Sequence, residues 1–204
     1  MRLVDYLDKG ADLGPDEPCL TTDGVSRSYA EVRELASRIS AALAARGVRP
    51  GDRVAILSAN DPTAFTCVFG ISRAGAVWCP INPRNEAAEN RELLELFGCT
   101  VLIFQAAFAP LVAAIRGDLP ALATLVCLDA KVPGTLGWEA FLALGAGDVD
   151  EAALDDIAMI VGTGGTTGRP KGVELTGGNL ETMTALTLMS YPFEGAPAIS
   201  PSPP

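Results

Sequence analysis

Between Ile157 and Val173 the sequence runs from an apolar stretch into glycine and threonine, and then to a lysine. It reads Ile157-Ala158-Met159-Ile160-Val161-Gly162-Thr163-Gly164-Gly165-Thr166-Thr167-Gly168-Arg169-Pro170-Lys171-Gly172-Val173. Glycines let backbone N–H groups converge on an anion with no Cβ in the way. Threonine hydroxyls add neutral donors, and a lysine beyond the loop supplies a mobile positive charge. These are the parts of a phosphate cradle. The spacing excludes two common forms of it. A P-loop needs lysine directly after the last glycine and then Ser or Thr, but Arg169 and Pro170 intervene and Gly172 follows Lys171. The dinucleotide fingerprint needs a third glycine where Thr167 stands after Gly162 and Gly164. Pro170 also keeps the loop from running straight into a helix interior. The plainer alternative is a Gly-Thr surface turn between two strands.

Composition narrows the chemistry further. The 204 residues contain no histidine, so no Ser-His-Asp triad, histidine metal ligand or imidazole switch can be built from this chain alone. Lys plus Arg is 15 and Asp plus Glu is 25, a formal charge of −10, which argues against a nucleic-acid partner held through phosphates. Five cysteines, Cys19, Cys67, Cys79, Cys99 and Cys127, form no CxxC pair and sit among apolar neighbours. They read as small buried hydrophobes in a reducing compartment. The first residues lack an apolar signal core. The longest apolar candidate, Val101 to Ile115, is broken by Gln105 and Pro110 and is too short to span a membrane. No transmembrane segment and a cytoplasmic location are therefore expected. With 49% apolar and 20% charged residues the chain is globular, of one or two domains.

The elements that must hold the loop can be read from local signals. Ser28 and Glu31 form a capping box for a helix whose Val32, Leu35, Ile39 and Leu43 repeat at helical spacing, closed by Arg46 and Gly47. Pro50-Gly51-Asp52 is a turn and Arg53 to Leu57 a buried strand. Asn60 or Asp61 caps a helix that carries Pro62 in its first turn and runs to about Arg73. The unit returns as strands at 75–79, 101–104 and 122–128, and helices at 86–97 and 108–115. Trp138 to Leu144 reads as a short surface-packed helix with Trp138 as a core plug. Asp148, Asp150, Glu151, Asp155 and Asp156 read as a solvated acidic face. The alternation predicts an α/β fold: layered, with a mainly parallel sheet and helices on both faces.

With these elements in place, the loop from Thr163 to Val173 resembles the signature loop of the adenylate-forming superfamily, roughly Thr-Ser-Gly-Thr-Thr-Gly-x-Pro-Lys-Gly-Val. That superfamily contains acyl-CoA synthetases, firefly luciferase and the adenylation domains of peptide synthetases. Upstream, Ser28 to Glu31, Gly47 to Ile56, Ala74 to Val77 and Pro80 to Pro83 look like further segments of the family in the right order. In flavour the chain is similar to bacterial fatty-acid–CoA ligases. The resemblance implies two half-reactions. A carboxylate attacks the α-phosphorus of ATP, giving an acyl-adenylate and pyrophosphate. The thiol of coenzyme A then displaces AMP. By the same resemblance Thr163, Thr166 and Thr167 would donate hydroxyls to the β- and γ-phosphates. Gly165 and Gly168 would keep the loop pliable, and Lys171 would neutralise phosphate charge. Gly164 replaces the family's serine. Thr176-Gly177-Gly178-Asn179 stands where the family often has Thr-His-x-Asn.

The resemblance also implies what lies elsewhere. Residues 1–204 would be an incomplete N-terminal AMP-binding domain with its signature phosphate loop at 163–173. The magnesium-binding glutamate, the ribose-binding aspartate and the C-terminal domain with its catalytic lysine would fall beyond Pro204. The expected parent is thus an acid–thiol ligase using ATP, Mg2+ and coenzyme A on a small carboxylic acid, with a fatty acid as the first expectation. No catalytic residue and no metal ligand is expected in this stretch, and no cofactor tightly bound to it. The isolated chain is expected to be inactive and to self-associate through truncated surfaces. Two alternatives remain open at this point. One is an acyl-AMP ligase delivering to a carrier protein. The other is a non-catalytic nucleotide-binding scaffold, to which Gly164, Gly177 and the missing histidine point.

Overall fold

The computed structural model describes residues 1–147, 149–150, 156–163 and 170–190. A first helix, α1 (Leu3–Leu13), buries Val4, Leu7 and Ala11 at spacings of three and four. A small antiparallel hairpin follows, β1 (Pro18–Thr22) and β2 (Val25–Ser28). Its two-residue turn places Asp23 at φ 50 and Gly24 at φ 76, the conformation that right-twisted hairpins favour. The sequence reading had given no element before Ser28.

From Ser28 onward the expected rhythm appears. Helix α2 (Tyr29–Ala45) carries both arms of the capping box: Glu31 N–H donates to Ser28 Oγ at 3.3 Å and Ser28 N–H to Glu31 Oε2 at 2.8 Å. Strand β3 (Arg53–Leu57) follows, then α3 (Pro62–Arg73), whose cap Asp61 accepts from Ala64 N–H at 2.8 Å. Next come β4 (Val77–Ile81), α4 (Ala87–Phe97), β5 (Val101–Phe104) and α5 (Ala109–Ile115). The series continues with β6 (Thr124–Cys127), the short β7 (Leu136–Gly137) and α6 (Trp138–Leu142). It closes with β8 (Ile157–Thr163), β9 (Lys171–Thr176) and α7 (Gly177–Ser190).

The fourth strand begins two residues later than its sequence suggested. Gly75, at φ 69, is spent on leaving α3: its N–H reaches Ser72 O at 3.1 Å and Ala76 N–H reaches Ile71 O at 3.1 Å. That pair of bonds satisfies the last helical carbonyls and requires a left-handed residue. Extended pairing can start only after it.

The main sheet has the order β7-β6-β5-β3-β4-β8-β9, parallel throughout except for the antiparallel pair β8–β9. Alternate residues of its strands feed two cores. Val54 and Ile56 pack with Ile39 and Leu43 of α2, Val68 and Ile71 of α3, and Phe141 of α6. Ala55 and Leu57 pack on the opposite face with Leu93, Leu94 and Phe97 of α4 and Val112 of α5. Helices thus cover both faces, as the alternation required. Four cysteines are buried, Cys19 is half-buried, and all five are free thiols.

The acidic stretch is exposed at its described residues, and one of them is also ion-paired. Asp150 is exposed, as read, but its carboxylate is also bonded by Arg2 and by Arg73, whose Nη1 lies 3.4 Å away. Asp156 is exposed at the entrance to β8. Asp148, Glu151 and Asp155 lie outside the described residues.

Candidate phosphate-binding site

The loop springs from the end of β8 and returns into β9. Thr163 and Lys171 form the last pair of the ladder, and Thr163 Oγ1 donates to Lys171 O at 3.3 Å. The two candidates at either end of the loop are therefore brought together across one hairpin. Lys171 is exposed and has no ion-pair partner among the described residues. Gly164, Gly165, Thr166, Thr167 and Gly168 lie outside the described residues. The hairpin agrees with the turn between two strands that the sequence allowed.

The stem is set by what packs beneath it. Gly162 and Gly172 are directly paired. A Cβ on Gly162 would lie 2.9 Å from Leu93 Cδ2, and one on Gly172 would lie 2.9 Å from Phe97 Cε1. Helix α4 therefore seats the hairpin through positions that need glycine. This was absent from the sequence reading, which treated Gly172 only as the residue after the lysine. The signal that could have found it is a pair of glycines flanking the loop at equal distance from its two ends.

Two neighbouring features bear on the site. The connection from β4 to α4, Asn82-Pro83-Arg84-Asn85, leaves the sheet at the same end as Thr163, because β4 and β8 run parallel. There Arg84 is exposed, and its backbone N–H donates to Asn82 Oδ1 at 3.0 Å. Beyond β9, Asn179 Oδ1 accepts from both the N–H and the hydroxyl of Thr176 at 3.0 Å, which fixes the first turn of α7. That is the segment where the resemblance led one to look for histidine. Here an asparagine–threonine pair serves as a helix start.

Other chemistry is not concentrated here. Burial pushes the Cys67 thiol well above its ordinary value, with Asp61 adding to the rise. The Cys99 thiol is raised by its hydrogen bond with Cys79 and by burial. Such thiols are poor nucleophiles. Among the described residues no three His, Cys, Asp or Glu side chains converge on a metal position. No described helix is long and apolar enough to cross a membrane. The crevice where strand connections diverge, between β3 and β5, is bridged by the protein itself: Gln105 Oε1 accepts from Ala59 N–H at 2.8 Å.

The AMP-binding enzyme family model matches residues 7–201. A feruloyl-CoA synthase from Amycolatopsis sp is 35% identical over 179 residues, which is 83% of this chain and 32% of the relative. An indoleacetate–CoA ligase from Aromatoleum aromaticum is 33% identical over 183 residues, 88% of this chain and 36% of the relative. The solved structure of an anthranilate CoA ligase in complex with anthranoyl-AMP superposes with a TM-score of 0.84 at 27% identity. It covers 91% of this chain and 36% of that one. The chain thus spans about a third of the length of the curated relatives it matches.

Proposed function

Since the chain belongs to the AMP-binding enzyme family, we propose that it carries the phosphate-loop portion of an ATP-dependent acid–thiol ligase. The observation that carries this reading is the pairing of Thr163 with Lys171 at the mouth of a hairpin whose connection is the Gly/Thr-rich loop. In the proposed reaction a carboxylate oxygen attacks the α-phosphorus of ATP and pyrophosphate leaves. A thiol sulfur then attacks the acyl carbon and AMP leaves. Negative charge shifts toward the departing pyrophosphate in the first step. Donors held in place before the reaction stabilise that charge without reorganising. Lys171, with no partner of its own among the described residues, is available to meet it. Thr163, Thr166 and Thr167 would add hydroxyl donors, and Gly164, Gly165 and Gly168 would let backbone N–H groups approach. The Thr163 hydroxyl, which closes the stem on Lys171 O, would exchange that bond for a phosphate oxygen.

The acid is proposed to be a hydrophobic carboxylic acid and the acceptor coenzyme A. The sequence reading favours a fatty acid, whereas the relatives above are named for ferulate, indoleacetate and anthranilate. Both classes belong in the assay. Mg2+ would accompany ATP, but the described residues offer no converging set of ligands for it, so no residue here is assigned to the metal. Residues 1–204 are proposed to lie within the N-terminal AMP-binding domain of the whole ligase. Five free thiols, four of them buried, support a reducing compartment and with it a cytoplasmic location.

The test is ATP–pyrophosphate exchange by the whole ligase with fatty and aromatic acids, for wild type and Lys171→Ala. The variant is expected to lose about 1–4 kcal/mol of transition-state stabilisation, with its melting temperature unchanged. Exchange unaltered at subsaturating ATP would remove Lys171 from the phosphate site. Nucleotide binding without exchange on any acid would favour a scaffold. Adenylate formation without transfer to coenzyme A would favour a carrier-protein acceptor.

A further inference from the structure

Helix α7 has no distinct polar face. From Gly177 to Ser190 it carries one charged residue, Glu181, and that carboxylate is taken by the Met1 ammonium. Its large side chains face outward: Met183 is 58% exposed, Leu186 59%, Leu188 53% and Met189 80%. Only Gly177 and Leu180 of the helix are buried. The threonines extend this apolar surface rather than break it. The hydroxyls of Thr182, Thr184 and Thr187 donate to the carbonyls of Gly178, Leu180 and Met183, each at 2.9 Å. Those donors are spent inside the helix. A helix that is apolar all round is one that another element covers.

One stripe of this surface is organised. Asn179, Thr182, Met183, Leu186, Thr187 and Ser190 line an open groove of about 400 Å³. They stand at i, i+3, i+4, i+7, i+8 and i+11, which is a single helical face and the footprint of a second helix. The stripe has the same chemistry read from either end. About a point between residues 184 and 185, Met183 exchanges with Leu186, Thr182 with Thr187 and Asn179 with Ser190. Large apolar residues sit at the centre, threonines beside them and small polar groups at the ends. An antiparallel copy laid on the stripe puts Met183 against Leu186 on both sides of the axis. That is the self-complementarity a two-fold interface requires. An unrelated partner imposes no such symmetry.

Other occupants fit less well. The chain has a formal charge of −10, so two copies repel unless the faces that meet are neutral. Helix α7 is such a face. Its neighbour β9 is the last strand of the sheet, and the exposed residues of β9 include Lys171 and Glu174. Charges of this kind guard an edge strand against pairing. A lipid surface would need cations beside the apolar stripe, and α7 has no Lys or Arg. At 14 residues it is also too short to cross a bilayer.

We propose that two copies of this chain dimerise through α7, packed antiparallel about a two-fold axis near residues 184 and 185. A single helix pair is small beside the roughly 1,600 Å² of a standard interface. The dimer is therefore expected to be weak, with a dissociation constant on the order of 10 μM. The self-association expected from the sequence thereby gains a surface. The proposal does not depend on the reading of residues 163–173.

Sedimentation equilibrium of the 204-residue chain from about 1 to 200 μM reads the result. Wild type is expected to pass from monomer to dimer over that range. Met183→Lys and Leu186→Glu each set a charge against an apolar residue of the other copy, so each alone is expected to weaken the dimer by about tenfold or more. Both positions are more than half exposed, and thermal melts at a monomeric concentration control for the fold. An equimolar mixture of the two variants is the decisive sample. In the antiparallel register the introduced lysine of one copy meets the introduced glutamate of the other, and the remaining methionine meets the remaining leucine. The mixture is expected to regain the dimer near wild-type concentrations. A wild-type chain that stays monomeric throughout would overturn the proposal and leave the stripe to another part of a longer ligase. A dimer unmoved by either variant would overturn it in favour of another surface, with the β9 edge as the next to test. A mixture that stays monomeric would overturn the antiparallel pairing.

Discussion

Gly162 and Gly172 face each other across the β8–β9 ladder, and each presents a bare Cα to helix α4. Directly opposite residues of an antiparallel pair point to the same face, so the two glycines together make one flat seat for Leu93 and Phe97. The seats are not equivalent. A Cβ on Gly162 meets the tip of Leu93, which can rotate away. A Cβ on Gly172 meets the Phe97 ring at 2.9 Å and Ile160 Cγ2 at 3.0 Å. Leu93 and Phe97 are both 5% exposed, but the Phe97 ring is rigid where the end of Leu93 can change rotamer. Gly172→Ala is therefore expected to destabilise the chain by about 1–3 kcal/mol, and Gly162→Ala by less. Urea unfolding of both variants gives the order, and two variants as stable as wild type would show that α4 does not seat the hairpin.

Ser28 offers a second test, of the helix that both the sequence and the structure place most firmly. Its hydroxyl accepts from Glu31 N–H, and Glu31 returns a carboxylate to Ser28 N–H. Ser28→Ala should cost about 1 kcal/mol and lower the melting temperature by about 2–4 °C for a domain of this size. Ser28→Asp keeps a capping acceptor and should melt close to wild type. An alanine variant as stable as wild type would mean that packing alone fixes the start of α2.

The cysteines give a third. Cys67, Cys79, Cys99 and Cys127 are buried and Cys19 is half-buried. Burial raises the thiol of Cys19 and, more strongly, that of Cys67, so reactivity should follow access. A disulfide reagent added to the native chain is expected to titrate one thiol, mapped to Cys19 by mass spectrometry. All five should react after unfolding. Rapid reaction of Cys79 or Cys99 in the native chain would show that the core beneath α4 opens readily.

The parts of this fold that could be read in advance are those whose signals are local. Ser28 and Glu31 are three residues apart, Pro62 follows its own cap, and Val101 to Phe104 is a continuous apolar run between turns. Each remains visible in one short window. Helix α1 escaped because its cap is Arg2 rather than Ser, Thr, Asp or Asn, and because it carries a glycine, Gly10. That glycine makes sense only in three dimensions, where a Cβ would lie 2.2 Å from the Tyr29 ring. The β1–β2 hairpin did carry a local signal, Asp23-Gly24, but its flanking residues are mostly exposed and lack a clear apolar alternation. The candidate site was legible as a composition, glycine and threonine followed by lysine. The pairing of Thr163 with Lys171, and the seat beneath them on α4, required strand register. The link from Asp150 to Arg73 was the least legible of all, since a charge run looks the same whether its partners are water or a distant helix.

Asp5 provides the last prediction, on acid stability. Burial alone would raise its carboxyl, but hydrogen bonds from the Arg2 side chain and backbone outweigh burial and hold it below the usual carboxylate value. The bonds are short: 2.7 Å from Arg2 N–H to Oδ2, and 2.9 and 2.7 Å from the guanidinium to Oδ1. A carboxyl whose native value is depressed stabilises the fold above its unfolded value, near pH 3.9, and that contribution is lost as pH falls through the native value. Arg2 stays charged throughout, so the change on acidification belongs to the carboxyl. The urea midpoint of the wild-type chain is therefore expected to fall as the pH drops below about 4. Asp5→Asn, which has no charge to lose at this position, should start from a lower midpoint at pH 6 and descend less steeply. Parallel pH profiles for the two proteins would mean that the Arg2–Asp5 pair contributes nothing to stability, and that α1 is held by Val4, Leu7 and Ala11 alone.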